Sequence, residues 1–253
     1  MTWHEAALTL GFLASALLAT VAQNMTGFAF GLVLVALCGT FNLVSIADAA
    51  NSCTLLSLVN AWAFFRSSSE PPPWKLMGPA AGFSAVGVVA GVGLLSWLGK
   101  NGTNDLQILL GLSIVASAVL LQLSARPKTR LSSRTSFSVT GFLAGVLGGL
   151  FATPGPPIVY FMYRQPLSAE VVRACLVCFF VVVALVRFAA VTISGQLSWR
   201  IIALALVAAP LVHLSTRWQQ AHPWKLPRQV LKFLVSTLLA LSGLGLLWSG
   251  LHS

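Results

Sequence analysis

Carboxylates are scarce in this sequence. Five occur in 253 residues, Glu5, Asp48, Glu70, Asp105 and Glu170, and each lies at or near the end of an apolar segment. A proton relay across a membrane needs an ionisable side chain inside a span, so the pattern argues against a classical carboxylate relay. Charged residues make up only 8% of the chain, against roughly 25% in soluble domains. With 57% hydrophobic residues, an all-α polytopic membrane protein is predicted.

Sequence signals for nucleotide-driven transport and for nucleic-acid binding are also missing. The nearest approach to a phosphate-binding loop is Gly99-Lys100, but Leu94 replaces the first glycine and Asn101 the final Ser or Thr. The net charge of +10 is spread over short gaps between apolar runs, which is typical of cytoplasmic membrane loops. We therefore expect a protein that is not an enzyme, with no catalytic residue, cofactor, metal or nucleic-acid partner.

Cysteine is sparse and sits only in apolar surroundings. Cys38, Cys53, Cys175 and Cys178 all lie within apolar runs, which predicts free buried thiols rather than a disulfide framework. The first apolar run has no Lys or Arg before it, unlike a signal peptide, and is interpreted as a retained membrane segment.

Ten apolar segments follow one another along the chain. A span needs about 20 helical residues, and the short seventh segment cannot cross the bilayer alone. The predicted segments are about 5–22, 27–46, 48–66, 74–98, 105–124, 137–152, 156–164, 168–192, 199–216 and 229–250.

The segments divide into two similar halves, residues 1–124 and 137–253, joined by a basic linker at 125–136. Lys and Arg crowd this linker, which places it in the cytoplasm. Both chain ends then lie outside, provided that the first two segments of each half either both cross or both turn back. Five segments per half would invert the second half relative to the first, which predicts an inverted repeat of a transporter with broken or short helices at its centre.

A helix break is predicted within GGLFATPGPPIVYFMY, residues 148–163. Pro154, Pro156 and Pro157 lack an N–H group and push the preceding residue towards extended geometry. We expect the helix to stop near Thr153, run extended through Pro157 and restart, so that the new helix presents free N–H groups to an anion. TGFAFGLVLVAL, residues 26–37, occupies the matching place in the first half.

Two stretches resemble the TauE/SafE family of sulfite-exporter-like permeases. They are GFLAGVLGGLFATPGPPIVYFMYRQPLSAEVVRACLVC and VAQNMTGFAFGLVLVAL, in which a Gln precedes a T-G-F-x-F-G run. The chain departs from the family pattern at Asn24, Ala29 and Ala152, where glycine is usual. The resemblance implies an inner-membrane transporter of sulfite, an organosulfonate such as sulfoacetate, or a related oxyanion.

Candidate ligands of the anion are donors near the two breaks, from backbone N–H, hydroxyl, amide or Arg groups. For each hydroxyl or amide the alternative is ordinary helix–helix hydrogen bonding. The candidates are Gln23, Asn24, Thr26, Gly27, Phe28, Asn51, Ser52, Thr153, Pro154, Gly155, Pro156 and Arg173.

Two arginines lie within the eighth segment. Arg173 either pairs with Glu170 three residues earlier or holds a charge for the substrate. Arg187 is interpreted as a snorkelling residue near a helix end.

These features predict an exporter that binds a small anionic solute at the midplane between two interrupted helices, with the lipid bilayer as its other partner. A cell interior held negative would push the anion outward. The alternatives are a transmembrane thiol–disulfide electron conduit that uses Cys53, Cys175 and Cys178, an anion channel, and a structural membrane subunit. Assembly as a homo-oligomer stays open.

Overall fold

The structure, a computed structural model, describes residues 3–26, 28–65, 74–122, 128–222 and 228–252. The regular elements in these ranges are ten α-helices, one for each predicted segment and in the same order, so the predicted all-α class is confirmed. They are α1 Trp3–Thr26, α2 Phe30–Thr40, α3 Ile46–Phe65, α4 Trp74–Asn101, α5 Thr103–Gln122, α6 Arg134–Phe151, α7 Gly155–Tyr163, α8 Ala169–Ile193, α9 Trp199–Ala221 and α10 Arg228–His252.

Six of these helices are long and apolar enough to cross a membrane: α1, α4, α5, α8, α9 and α10. Their outward surfaces carry large apolar side chains such as Trp97, Leu206 and Trp248, each more than 60% exposed. Such a surface is costly in water and suits lipid. The two short helices at the breaks differ from one another in burial: every residue of α2 from Phe30 to Gly39 is buried, whereas α7 buries one face.

The first two helices of each half form a hairpin. In the second half, Gln165 just beyond α7 accepts a hydrogen bond from the N–H of Ser132, which lies just before α6. The N–H of Lys128 likewise donates to the carbonyl oxygen of Arg164. In the first half, Leu43 beyond α2 contacts Gly11 early in α1. In both halves the second helix therefore turns back along the first.

Helix α6 is held against α4 at backbone distance. Three glycines at four-residue spacing on α6 face the backbone of α4 so closely that an added Cβ would overlap it. Small residues at this spacing let two helices approach closely in a membrane. The contact fixes the turn of α6 that precedes the second break. The pairs are Gly141 with Ala80, Gly145 with Ser84, and Gly149 with Val88.

The second break is shorter than predicted. Helix α6 ends at Phe151 and α7 already begins at Gly155, so only residues 152–154 are non-helical. The expected extended run through Pro157 is wrong, because Pro156 and Pro157 lie in the first turn of α7. Proline is tolerated there, since its missing N–H would have no partner within the helix and its fixed φ suits the helix.

Candidate functional site

The two breaks lie against each other in the interior. A Cβ added to Gly31, at the start of α2, would lie 2.5 Å from the carbonyl oxygen of Ala152 and 3.2 Å from the methyl group of Thr153. A Cβ added to Gly155, at the start of α7, would lie 3.0 Å from the ring of Phe28. Each short helix therefore begins against the break of the other half.

Local geometry explains why α6 ends where it does. Ala152 adopts a left-handed conformation with φ 55° and ψ 30°, and its N–H donates to the carbonyl oxygen of Gly148 at 2.9 Å. The N–H of Thr153 reaches back to Leu147 at 3.4 Å. This arrangement is the usual way to satisfy the last carbonyl groups of a helix. The left-handed conformation favours glycine, which is the residue usual at this position in the family that the sequence resembles.

The start of α7 offers fewer donors than expected. Pro154, Pro156 and Pro157 have no N–H group, so Gly155 supplies the only backbone donor from 154 to 157. An anion at this helix end would therefore need further donors from side chains or from the other break. Thr153 is buried beside Gly155 and carries a hydroxyl group.

A buried arginine lies next to the breaks. Arg187 on α8 is 1% exposed. Its Nε donates to the carbonyl oxygen of Gly149 on α6 at 3.0 Å. Its Nη1 lies within hydrogen-bond distance of three acceptors on α3: the carbonyl oxygen of Ala50 at 3.1 Å, Oδ1 of Asn51 at 3.0 Å and Oγ1 of Thr54 at 2.6 Å. One side chain thus joins three helices from both halves of the chain.

The snorkelling interpretation of Arg187 is therefore wrong. A snorkelling side chain runs towards a helix end and keeps its charge in water, whereas the Arg187 guanidinium is enclosed by α3 and α6. Its position more than a turn inside the apolar run of α8 was the available signal, because an Arg at such a depth is costly unless the interior holds it.

The same part of α3 also touches the second break. Cys53 lies between Asn51 and Thr54 in sequence, and its Sγ is 3.8 Å from the carbonyl oxygen of Ala152. Asn51 also donates from Nδ2 to the carbonyl oxygen of Gln196 at 3.1 Å. Ser52 is 1% exposed, and its Oγ has no hydrogen-bond partner in the described part of the chain. The predicted ligands Asn51 and Ser52 are therefore brought to the level of the breaks.

Asn24 makes a different set of contacts. Its Nδ2 lies 3.0 Å from Oε1 of Gln219 and 3.3 Å from Oγ1 of Thr216, both on α9. Both N–H groups of the Asn24 amide are thus engaged in hydrogen bonds between helices. Such bonding is the alternative to substrate binding that was given for each amide. Gln23 beside it is half-buried.

The remaining predicted ligands are less well placed or lie outside the description. Gly27 falls outside the described residues, and so do the side chains of Thr26 and Arg173. On α8, Val183 lies next to Gly148 near the second break, and Arg173 precedes Val183 by ten residues.

The four cysteines are buried and free, with exposures of 0% to 3%. Cys175 packs in an apolar cluster with residues of α4, α6 and α7, and Cys178 is buried three residues further along α8. Reactive thiols need accessible, electropositive surroundings. The burial of these thiols gives the electron-conduit alternative no support.

Comparison with known proteins identifies the chain. A family model described as sulfite exporter TauE/SafE matches residues 12–246. The chain belongs to the TauE/SafE family. A relative described as the probable sulfite/organosulfonate exporter TauE of Cupriavidus necator is 30% identical over 197 residues, which are 78% of this chain and 77% of the relative. No solved structure matches the chain. As a TauE/SafE protein, the chain is a multi-pass membrane protein from a transporter family, as its sequence predicted.

Proposed function

We propose that this protein exports a small sulfur-containing oxyanion, such as sulfite or an organosulfonate, and binds it near the midplane where the two breaks meet. The observation that carries the proposal is the contact of Gly31 with Ala152 and Thr153. Non-helical backbone at membrane depth is tolerated where it is buried in protein or lines a cavity, and transporters use such backbone to bind substrate. The family membership and the printed description of the Cupriavidus necator relative support the class of substrate.

We also propose that the two halves form an inverted repeat. Each half begins with a hairpin whose two helices are separated by a short break, described at 28–29 in the first half and at 152–154 in the second. Packing between the halves is reciprocal, since α4 packs on α6 and α8 while α9 packs on α1 and α3. Helices α3 and α8 also pack on each other, as do α5 and α10. An exchange of equivalent helices preserves these six pairings, as a two-fold relation requires.

The binding groups that we propose lie on both breaks and on α3. Thr153 and Ser52 would donate hydroxyl groups, and Gly155 its N–H, to the oxygens of the anion. Pro154, Pro156 and Phe28 would shape the site without donating hydrogen bonds. Gln23, Asn24, Thr26, Gly27, Asn51 and Arg173 complete the proposed set.

We also propose that the protein lies in the inner membrane of a bacterial cell, with the linker 125–136 in the cytoplasm. The basic residues of the linker support this orientation. Lys128 and Ser132 contact the end of the α6–α7 hairpin, so under this proposal the open end of that hairpin would lie on the cytoplasmic side of the breaks.

Binding to the purified protein tests the proposal. Thermal stability in detergent is measured with sulfite, sulfate, sulfoacetate, taurine or thiosulfate, and we expect sulfite or an organosulfonate to raise Tm in a concentration-dependent way. Thr153→Val should weaken this response, because it removes a donor at the contact of the breaks. Thr192→Val is the matched control, since Thr192 is exposed on α8 and bonds only within its helix. No response to any of the five solutes would overturn the proposal.

A further inference from the structure

Arg187 carries a positive charge that the described residues bonded to it do not neutralise. Within the described parts of the chain, its hydrogen-bond partners are two carbonyl oxygens, an amide oxygen and a hydroxyl group. All of them are neutral. A buried charge is strongly disfavoured unless an opposite charge or a full set of hydrogen bonds compensates it. An anion is the partner that would complete this site.

The guanidinium also has an unused donor nitrogen. Nη2 is buried and has no hydrogen-bond partner among the residues that the structure describes. The guanidinium is planar and rigid, with five N–H donors. Nε is bonded to Gly149 of α6 and Nη1 to α3, which leaves Nη2 as the nitrogen of the guanidinium that is free to bind an acceptor. A buried donor without an acceptor is costly, and planar nitrogen pairs of Arg are well suited to oxyanions.

The position of Arg187 relates this donor to the breaks. Gly149, the partner of Nε, precedes Ala152 by three residues, which is less than one helical turn. On α3, Thr54 receives Nη1 while the adjacent Cys53 contacts the carbonyl oxygen of Ala152. The guanidinium is therefore anchored to the same turns of α3 and α6 that contact or precede the second break.

We propose that Arg187 is the residue that selects for anions, and that its Nη2 binds an oxygen of the transported sulfite or sulfonate. This inference rests on the proposed function and adds the source of the positive charge. The hydroxyl and backbone donors of the breaks recognise oxygen atoms of any charge, whereas Arg187 makes a negative charge necessary. A neutral compound of the same shape would bind poorly for this reason.

The test compares two ligands that differ in charge. Ethanesulfonate is an anion, and ethanesulfonamide is a neutral compound of similar size. Their affinities for the full-length protein in detergent are measured by calorimetry on the wild type, Arg187→Gln and the control Arg200→Gln. Arg200 is exposed in the first turn of α9, so the same substitution there removes a charge far from the breaks along the chain.

We expect the wild type to prefer the sulfonate and Arg187→Gln to lose that preference. Its sulfonate affinity should fall by about 10- to 150-fold, the range of a hydrogen bond to a charged group, while its sulfonamide affinity changes little. Arg200→Gln should keep the preference. If Arg187 only held helices together, its loss would weaken both ligands alike and leave their ratio unchanged, which would overturn the inference.

If Arg187→Gln does not fold, a second variant tests the role of Arg187. Asn51→Asp preserves an oxygen acceptor for Nη1 but places a carboxylate against the guanidinium, which cancels its charge in place. We expect this variant to lose the sulfonate preference, whereas Asn51→Ala should lower both affinities together. A full preference in Asn51→Asp would overturn the role of Arg187. A wild type that binds neither of these ligands nor any of the five solutes above would instead overturn the proposed function.

Discussion

Nη1 of Arg187 on α8 donates a 2.6 Å hydrogen bond to the hydroxyl oxygen of Thr54 on α3. These two helices are the third of their respective halves, and they pack on each other. Thr54 in turn donates to the carbonyl oxygen of Ala50 in its own helix. The polar centre of the protein is therefore a link between the halves, built from one cation and a short polar stretch of α3.

Replacement of Thr54 by valine tests the strength of this link. Valine has nearly the same shape but removes an acceptor from a charged, buried donor, which costs about 1–3 kcal/mol. We expect a lower Tm for Thr54→Val in detergent. Thr192→Val serves as the control, because the Thr192 hydroxyl is exposed and bonds only to Phe188 within α8. Equal Tm values for both variants would show that the hydrogen bond to Thr54 contributes nothing.

Gly31→Ala tests the contact of the two breaks. The added methyl group would lie 2.5 Å from the carbonyl oxygen of Ala152 and 3.1 Å from Sγ of Cys53, so the breaks must move apart. Overpacking of this kind costs about 1–3 kcal/mol, and we expect sulfonate efflux from proteoliposomes to fall sharply. Gly93→Ala is the matched control, because nothing lies within 4 Å of its added Cβ. Unimpaired efflux in Gly31→Ala would show that transport does not depend on the contact of the breaks.

The ten helices and the second break follow from local signals in the sequence. Apolar runs of the required length predict membrane helices, and prolines at 154, 156 and 157 predict an interruption. The restart of α7 at Gly155 was missed because proline is compatible both with an extended chain and with the first turn of a helix. The choice depends on what the chain packs against, and here Gly155 packs against Phe28 from the other half.

The role of Arg187 could not be read from its helix alone. In a soluble protein, an apolar stripe shows which face of a helix is buried. Helix α8 is apolar on all sides, because lipid and protein interior are both apolar, so its pattern does not distinguish the two faces. The depth of Arg187 in the apolar run indicates that the interior holds it, but only packing shows that α3 and α6 are the helices that do so. Asn24 is a parallel case, since its partners on α9 are more than 190 residues away along the chain.

Burial of the cysteines predicts slow chemical labelling. Cys38, Cys53, Cys175 and Cys178 are at most 3% exposed, so a maleimide reagent should modify them in denaturant but hardly at all in the folded protein. We further expect replacement of all four by alanine to preserve sulfonate transport, at some cost in stability. Mass spectrometry measures the labelling and proteoliposome efflux the transport. Loss of transport in a folded, cysteine-free variant would instead favour thiol chemistry.

The scarcity of carboxylates predicts transport driven by membrane potential. The five acidic residues of the chain are Glu5, Asp48, Glu70, Asp105 and Glu170. The four in described segments lie in the first turns of their helices and not in the middle turns. These four residues therefore offer no carboxylate relay for protons across the membrane. A potential negative on the side of the linker then drives a monovalent anion outward with about 2.3 kcal/mol per 100 mV.

Efflux of ethanesulfonate from proteoliposomes with a clamped potential measures this dependence. For the fraction of protein whose linker faces the lumen, we expect efflux to accelerate when the lumen is negative and to slow when it is positive, because the anion itself carries the charge across. The control is the same preparation clamped at zero potential with an imposed pH gradient, which should leave the rate nearly unchanged. A rate that follows the pH gradient and ignores the potential would mean that protons are coupled to transport by groups other than these carboxylates.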